Sequence, residues 1–315
     1  MAPELASLPL IVSIVGATGT GKTALALGIA RRFEGSIISA DSMQVYEGMD
    51  VGTAKLSLPE RLGIPHALID VVSPNEHFSV AQYQLLALEA VKAAIRLQRL
   101  PILVGGTGLY VRAVLDGYEF LPEKPDASLR SQLRMLSESE LRARLRTIDP
   151  VAEREIASND LRRLERALEM SVQSGVLPSV LKRRQHPVAW RVLRIGLRAE
   201  RAELYRRLDR RVDTMISAGM EEEVRRLLED GLNSDDTAMQ GIGYKELSAW
   251  MRGELGRDDA IELWKKRTRN YAKRQETWFR REKDVHWIDV SDQTSDSVLA
   301  QATVLVGSIA GGHSR

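Results

Sequence analysis

GATGTGKT, residues Gly16 to Thr23, follows the apolar run Leu10–Val15 and precedes the helix-like stretch Ala24–Phe33. The octet fits the pattern G-x-x-x-x-G-K-[ST] in the setting that pattern needs, a strand before it and a helix after. Glycines let successive backbone N–H groups converge on phosphate oxygens at a helix N-terminus, where the dipole favours negative charge. Lys22 supplies a cation to the terminal phosphate, and Thr23 a hydroxyl for Mg2+. Gly16, Ala17, Thr18, Gly19, Thr20, Gly21, Lys22 and Thr23 are therefore the candidate diphosphate- or nucleotide-binding residues. A ligand-free glycine turn is the competing reading, and the two correct flanks weigh against it. The motif specifies phosphate or pyrophosphate. It does not specify ATP.

Outward from the loop, short apolar runs alternate with helical stretches. Ser36–Ala40, Ala67–Val72 and Ile102–Val104 read as further buried strands, with a helix over Val80–Leu97. Such alternation predicts an α/β fold, a parallel sheet covered on both faces. The pattern breaks near Tyr118: from LPEKPDASLR (Leu121–Arg130) to about Pro187 only Arg- and Glu-rich helices are expected. One of them, Leu161–Val172, is expected to gather Leu161, Leu164 and Leu168 on one face. RVLRIGL (Arg191–Leu197) and HWIDV (His286–Val290) then return to strand character. The expected organisation is a core of residues 1–118 and 191–315 carrying an all-helical insertion at 119–190. The tail QATVLVGSIAGGHSR is expected to end in a frayed Gly-rich stretch.

Composition narrows the setting. The 315 residues suffice for one large domain or two modest ones, and 43% hydrophobic content is that of a globular chain. There is no cysteine, which excludes a disulfide framework and any Cys-ligated zinc, and suits a reducing cytoplasm. The first apolar run is too short to span a bilayer and lacks the basic flank of a signal peptide, so no membrane association is expected. Net charge is only +2. A nucleic-acid partner must therefore be held by local basic patches.

Two carboxylates compete for the phosphate site. Asp41 directly follows the strand SIISA, and ligands of open α/β sheets bind at the carboxyl ends of strands. Asp70, ending ALID, is the weaker candidate for orienting Mg2+. For Asp41, read from residues alone, a helix N-cap or a Mg2+ ligand stays open beside a catalytic role.

DSMQVYEGMDVGTAK (Asp41–Lys55) resembles the tRNA dimethylallyltransferase family, also called tRNA isopentenyltransferases. PHALIDVVSP, PILVGGTGLYVRAVLDG, NDLRRLERALE, and GIGYKEL followed by TRNYAKRQETWFR resemble it in the same order, over about residues 10 to 290. The order and spacing of these pieces are more specific than any one of them. The resemblance implies transfer of a dimethylallyl group from dimethylallyl diphosphate to N6 of adenosine 37 in the tRNA anticodon stem-loop, with Mg2+ as cofactor. It implies a P-loop NTPase-like core with an inserted helical domain that contacts tRNA. Carried over by position, Asp41 is the general base, Thr107 lies at the reacting centre, and Ser42, Met43 and Gln44 contact the anticodon loop. Arg130 and the stretch Arg162, Arg163, Leu164, Glu165 and Arg166 fall at tRNA-contacting positions. Arg207 or Arg211 matches an arginine that helps hold the pyrophosphate. Ala17 and Leu56 replace prolines common in the family, and neither change removes a group the chemistry needs. The lack of cysteine excludes an appended zinc finger and points to the bacterial type.

The chemistry suits these residue types. An exocyclic adenine amine is a poor nucleophile, and a positioned carboxylate taking its proton is worth about 10²–10⁴-fold. Departing pyrophosphate develops charge that loop amides, Lys22 and an arginine stabilise where it grows. The base must leave the anticodon stack, at a few kcal/mol that contacts elsewhere offset. KKRTRNYAKRQETWFRR (Lys265–Arg281) offers Lys273 and Arg274 for RNA; Trp278 and Phe279 are read as core-packing rather than base-stacking. The five histidines show no metal-ligand spacing, and His66 reads as structural. GIGYKEL is assigned no chemistry. The alternatives are an adenylate isopentenyltransferase, a P-loop nucleotide kinase, and an RNA-binding module with a vestigial loop. Nothing in the sequence demands more than a monomer.

Overall fold

The computed structural model describes residues 8–120, 126–181, 184, 186 and 188–310. Leu10–Gly16 forms β1, buried along its whole length, as an unbroken apolar strand covered on both faces must be. Then come α1 (Lys22–Arg32), β2 (Gly35–Ser39), the short β3 (His66–Ala67), α2 (Val80–Arg96), β4 (Leu100–Gly105) and α3 (Gly108–Leu115). Five helices follow: α4 (Ala127–Arg134), α5 (Glu138–Ile148), α6 (Pro150–Glu155), α7 (Leu161–Ser174) and α8 (Pro178–Leu181). The chain returns through β5 (Arg191–Arg198), α9 (Arg201–Ser217), α10 (Met220–Glu229), α11 (Tyr244–Met251), α12 (Arg257–Phe279), β6 (Val285–Asp289) and α13 (Ser295–Ala310).

The six strands make one parallel sheet in the order β3-β2-β4-β1-β5-β6. Parallel neighbours need long crossovers, which the helices supply. Central β1 pairs with β4 through Val12↔Ile102 and with β5 through Val12↔Leu193. All strand carboxyl ends therefore face one edge, where Gly16, Ser39, Gly105 and Arg198 end their strands. One core cluster, including Val12, Ile14, Ile29, Ile102 and Ile195, joins the sheet to α1 and α13.

One expectation changes here. The run Ala67–Val72 does not continue as a strand: Leu68 and Asp70 have left-handed backbones (φ 64° and 55°). Its N–H groups turn to the loop after β2 instead, Asp70 N donating to Gln44 O and Val71 N to Val45 O. The tail is helical as far as Ala310, with Val298, Ala302 and Val306 buried at four-residue spacing, and the Gly-rich end expected to fray comes after it. Its last residues, Gly311–Arg315 with His313, lie outside the described residues, as do Leu121–Pro125 of LPEKPDASLR.

By contacts the chain divides into residues 1–114 with 189–315, and residues 115–188. The smaller unit has its own core of Leu133, Leu141, Leu145, Leu164, Ala167 and Leu168. Asp160 caps α7 through the Arg163 N–H, and Gly175 ends it at φ 67°. Leu161 does not join this face: it is exposed at the first turn, where the cap has not yet brought the helix onto its neighbours. Leu164 is fully buried, which corrects its placement among tRNA contacts: a side chain closed inside a helical core touches no RNA. Glu169, 1% exposed, accepts from both Arg130 (2.8 and 3.1 Å) and Arg166 (2.7 Å). Burial works against ionisation there, yet the two guanidinium groups hold the carboxyl below the usual range. Arg130 and Arg166 thus brace this unit. Arg162 and Arg163 are exposed, Arg163 with Asp160 at 3.3 Å.

Candidate active site

The phosphate loop is shaped by backbone that only glycine tolerates. Gly16 sits at φ 141°, and a Cβ there would lie 2.3 Å from Leu197 O. Gly21, at φ 87°, leads into the first turn of α1. Thr20 Oγ1 and Lys22 Nζ both donate to Ala17 O at 2.8 Å. Buried Ala17 packs on Leu204 and Leu208 of α9 and Ala272 of α12, so two distant helices meet the loop.

The ends of β2 and β4 are stitched together beside it. Ala40 N donates to Val104 O (2.7 Å), and Thr107 N to Ala40 O (3.1 Å). Ser42 N donates to Thr107 Oγ1 at 3.0 Å, and that hydroxyl stands 3.3 Å from Ser42 Oγ. Asp41 Oδ1 accepts from Met43 N at 2.9 Å. Residues 42–45 form a turn, so Asp41 caps no helix. Gln44 spends both ends of its amide internally, between Ser39 Oγ (2.9 Å) and Thr53 O (3.2 Å). Asp70 is bound to Lys55 at 2.5 Å and stands at no strand end, which removes it as a Mg2+ carboxylate. His66 keeps a structural place, with Nδ1 2.8 Å from Ile64 O.

Electrostatics join the two halves. Burial lowers the Lys22 pKa to about 8, partly countered by the Asp41 carboxylate and reinforced by Arg211. Burial also pushes the Arg211 guanidinium down, while Asp41 supports it. Asp41, Lys22 and Arg211 therefore share one field. Arg207 instead pairs with Glu203 and donates to Val290 O at 3.3 Å. Helix α9 is pinned to α12 by Asp209–Arg269 (2.5 Å) and Asp213–Lys265 (2.8 Å), on either side of Arg211.

The state of Lys22 makes anion affinity pH-dependent. Its free value of about 8 is raised when a diphosphate arrives, so binding takes up a proton as pH passes 8. Affinity for an isoprenoid diphosphate is expected to be full below pH 8 and to fall by up to about tenfold per unit above it. Calorimetric titration in buffers of different ionisation enthalpy would detect the proton; constant affinity from pH 7 to 10 would contradict it.

Gln275 and Glu223 lay outside the sequence reading, which took Tyr271 only as an aromatic able to stack on bases. Gln275 of α12 bridges the loop and the turn: Thr18 N donates to its Oε1 (2.8 Å), and its Nε2 donates to Gly106 O (2.9 Å). Tyr271, one helical turn before, has its hydroxyl raised to about 12 by burial and then by Asp41, with hydrogen bonds to Thr107 and Gln275 acting the other way. Buried Glu223 of α10 accepts from Asp50 N, Val51 N and Gly52 N (2.8, 2.8 and 3.1 Å) and from Tyr244 Oη (2.6 Å). GIGYKEL thus opens α11 and anchors the segment that follows Asp41. The available signal for Gln275 was one amide in the stripe Ala272, Gln275, Phe279; Glu223 carried none, because backbone amides leave no mark in sequence.

On the outer side of α12, Lys273 and Arg274 are exposed, with Arg274 5.6 Å from the Tyr271 ring centroid. Phe279 is buried, and Trp278 packs so closely on Gly108 that a Cβ there would lie 2.1 Å from its Nε1. Phe279 packs within the fold, and Trp278 is half-buried against Gly108. Among the described residues no cluster of three His, Asp or Glu could hold a metal alone. The exposed Thr23 hydroxyl fits Mg2+, which keeps several waters and takes phosphate oxygens with only one or two protein ligands.

A glycine loop closing the central strand β1, with a threonine after β4 and a carboxylate after β2, defines a P-loop α/β protein. A family model for IPP transferase matches residues 44–282, and one for isopentenyl transferase matches residues 9–64. The chain belongs to the IPP transferase family. It is 46% identical over 306 residues to the tRNA dimethylallyltransferase of Desulforudis audaxviator, covering 96% of this chain and 98% of that one. Among solved structures it resembles a tRNA isopentenylpyrophosphate transferase from Bacillus halodurans, at 39% identity and a TM-score of 0.73, covering 97% and 98% of the two chains. It also resembles a eukaryotic dimethylallyltransferase acting on tRNA, at 29% identity and a TM-score of 0.81, covering 95% of this chain and 78% of the other.

Proposed function

We propose that this protein transfers a dimethylallyl group from dimethylallyl diphosphate to N6 of adenosine 37 beside the tRNA anticodon, giving N6-isopentenyladenosine and pyrophosphate. The observation that supports it is the shared field of Asp41, Lys22 and Arg211, a base and a leaving-group site in one place. N6 attacks the allylic carbon, the carbon–oxygen bond to the diphosphate breaks, and the N6 proton passes to Asp41. Loop amides, Lys22 and Arg211 hold the departing charge. Bound Mg2+, with Thr23 as its protein ligand, would neutralise diphosphate oxygens. Thr107 and Ser42 line the turn that receives the adenine, with Met43 in the adjoining anticodon contact and Gln44 holding that turn from within. Exposed Arg162, Arg163, Lys273 and Arg274 supply backbone contacts to tRNA. No helix of the described residues is long and apolar enough to cross a membrane. The reading includes a cytoplasmic location, where a tRNA acceptor would be met, and a monomer as the working form.

The test is direct. The protein is incubated with dimethylallyl diphosphate, Mg2+ and an unmodified anticodon stem-loop carrying A37, and the RNA is weighed. The expected result is a gain of one isoprenoid group. No gain on RNA, with prenylation of AMP, would replace this reading with an adenylate acceptor.

A further inference from the structure

We infer that Gln275 is a positioning residue for this transfer, its amide fixing the separation between the diphosphate loop and the acceptor turn. The inference rests on the proposed reaction. The side chain is 5% exposed and stands between the Thr18 and Gly106 backbones, just past the Val15↔Gly105 pairing of β1 with β4. Its oxygen takes the Thr18 N–H and its nitrogen serves the Gly106 carbonyl. Only an amide of this length accepts at one end and donates at the other. The approach is built on both sides: a Cβ at Gly106 would lie 2.1 Å from Gln275 Nε2, so any side chain there would expel the amide.

The consequences run in two directions. Thr18 N–H is committed to Gln275, which leaves anion contact to the loop amides that follow. Gly106 precedes Thr107, and Tyr271, one turn away on the same ridge of α12, stands close enough to Thr107 and Gln275 for both to act on its hydroxyl. Thr107 in turn receives Ser42 N, next to Asp41. One helix ridge thereby sets where the leaving group sits relative to the base. Misplacing reacting groups by about 1 Å can cost about 10²-fold in rate without weakening either substrate.

The test uses the full chain with dimethylallyl diphosphate and the A37 stem-loop. Gln275→Met keeps the volume and removes both hydrogen bonds; Gln275→Glu keeps the acceptor and loses the donor. For each, kcat, both KM values and the thermal midpoint are measured, with active protein counted by single-turnover amplitude. The expected result is a kcat lower by about 30-fold or more in both variants, with KM for RNA within about threefold of wild type. A kcat within threefold in the folded protein overturns the inference. So does a change confined to KM, which would make Gln275 a binding residue. A rate loss that vanishes once scaled to the folded fraction also overturns it, since the role would then be structural. If either variant fails to fold, the other decides, and failure of both to fold overturns it. Absence of transfer by the wild type in the same assay rejects the proposed reaction itself, separately from any variant result.

Discussion

Asp41→Ala slows prenyl transfer by about 10²-fold or more, while stem-loop affinity stays within about threefold. The expectation follows from the nucleophile: the adenine amine carries a delocalised lone pair, and its proton must go somewhere as the new bond forms. Asp41 is the carboxylate in the field of both Lys22 and Arg211. Its Oδ1 accepts the Met43 N–H, which restrains the side chain before any substrate binds. Asp41→Asn separates two explanations. Asparagine keeps an oxygen for Met43 but accepts no proton at neutral pH, so it should be nearly as slow as alanine. Near-normal turnover in the Asn variant would move Asp41 from base to positioning group. Normal single-turnover chemistry with a large loss of RNA affinity would make it a binding residue.

Whatever depends on local pattern was legible in the sequence. The strand–GATGTGKT–helix unit needs specific residues at specific places, because Gly16 and Gly21 hold backbones that a Cβ forbids. Strands buried on both faces show as continuous apolar runs, and β1, β2, β4 and β5 were read close to their observed limits. The insertion was legible as a change of period. Tertiary competition was not. Ala67–Val72 has strand character but loses its N–H groups to residues 44 and 45. Leu161 and Leu164 share a helix and an apolar character, yet only Leu164 meets the core. The contacts that hold the site, Gln275 to Gly106 and Glu223 to residues 50–52, span more than 160 residues of chain. Their partners are main-chain groups, which every residue has.

Arg211→Ala lowers kcat by about 10²–10³-fold, whereas Arg207→Ala changes it by less than about threefold. The two lie four positions apart on α9, and family position alone did not choose between them. The structure distinguishes their charges. Arg207 is neutralised by Glu203 and a carbonyl, so little of its field is left for a ligand. Arg211 is desolvated, and its charge adds a smaller lowering to the one that burial imposes on Lys22. A cation held out of water where negative charge develops is worth more than one already paired. A second readout is independent of turnover. Removing Arg211 takes away a like charge, so the Lys22 value of about 8 should rise, and the pH at which diphosphate affinity begins to fall should rise with it. Arg207→Ala should leave that pH in place. Arg211→Lys should keep the pH effect and recover only part of the rate, because a point charge lacks the guanidinium fork. If Arg207→Ala proves the slower enzyme, or if the affinity break does not move in Arg211→Ala, the pyrophosphate arginine is not Arg211.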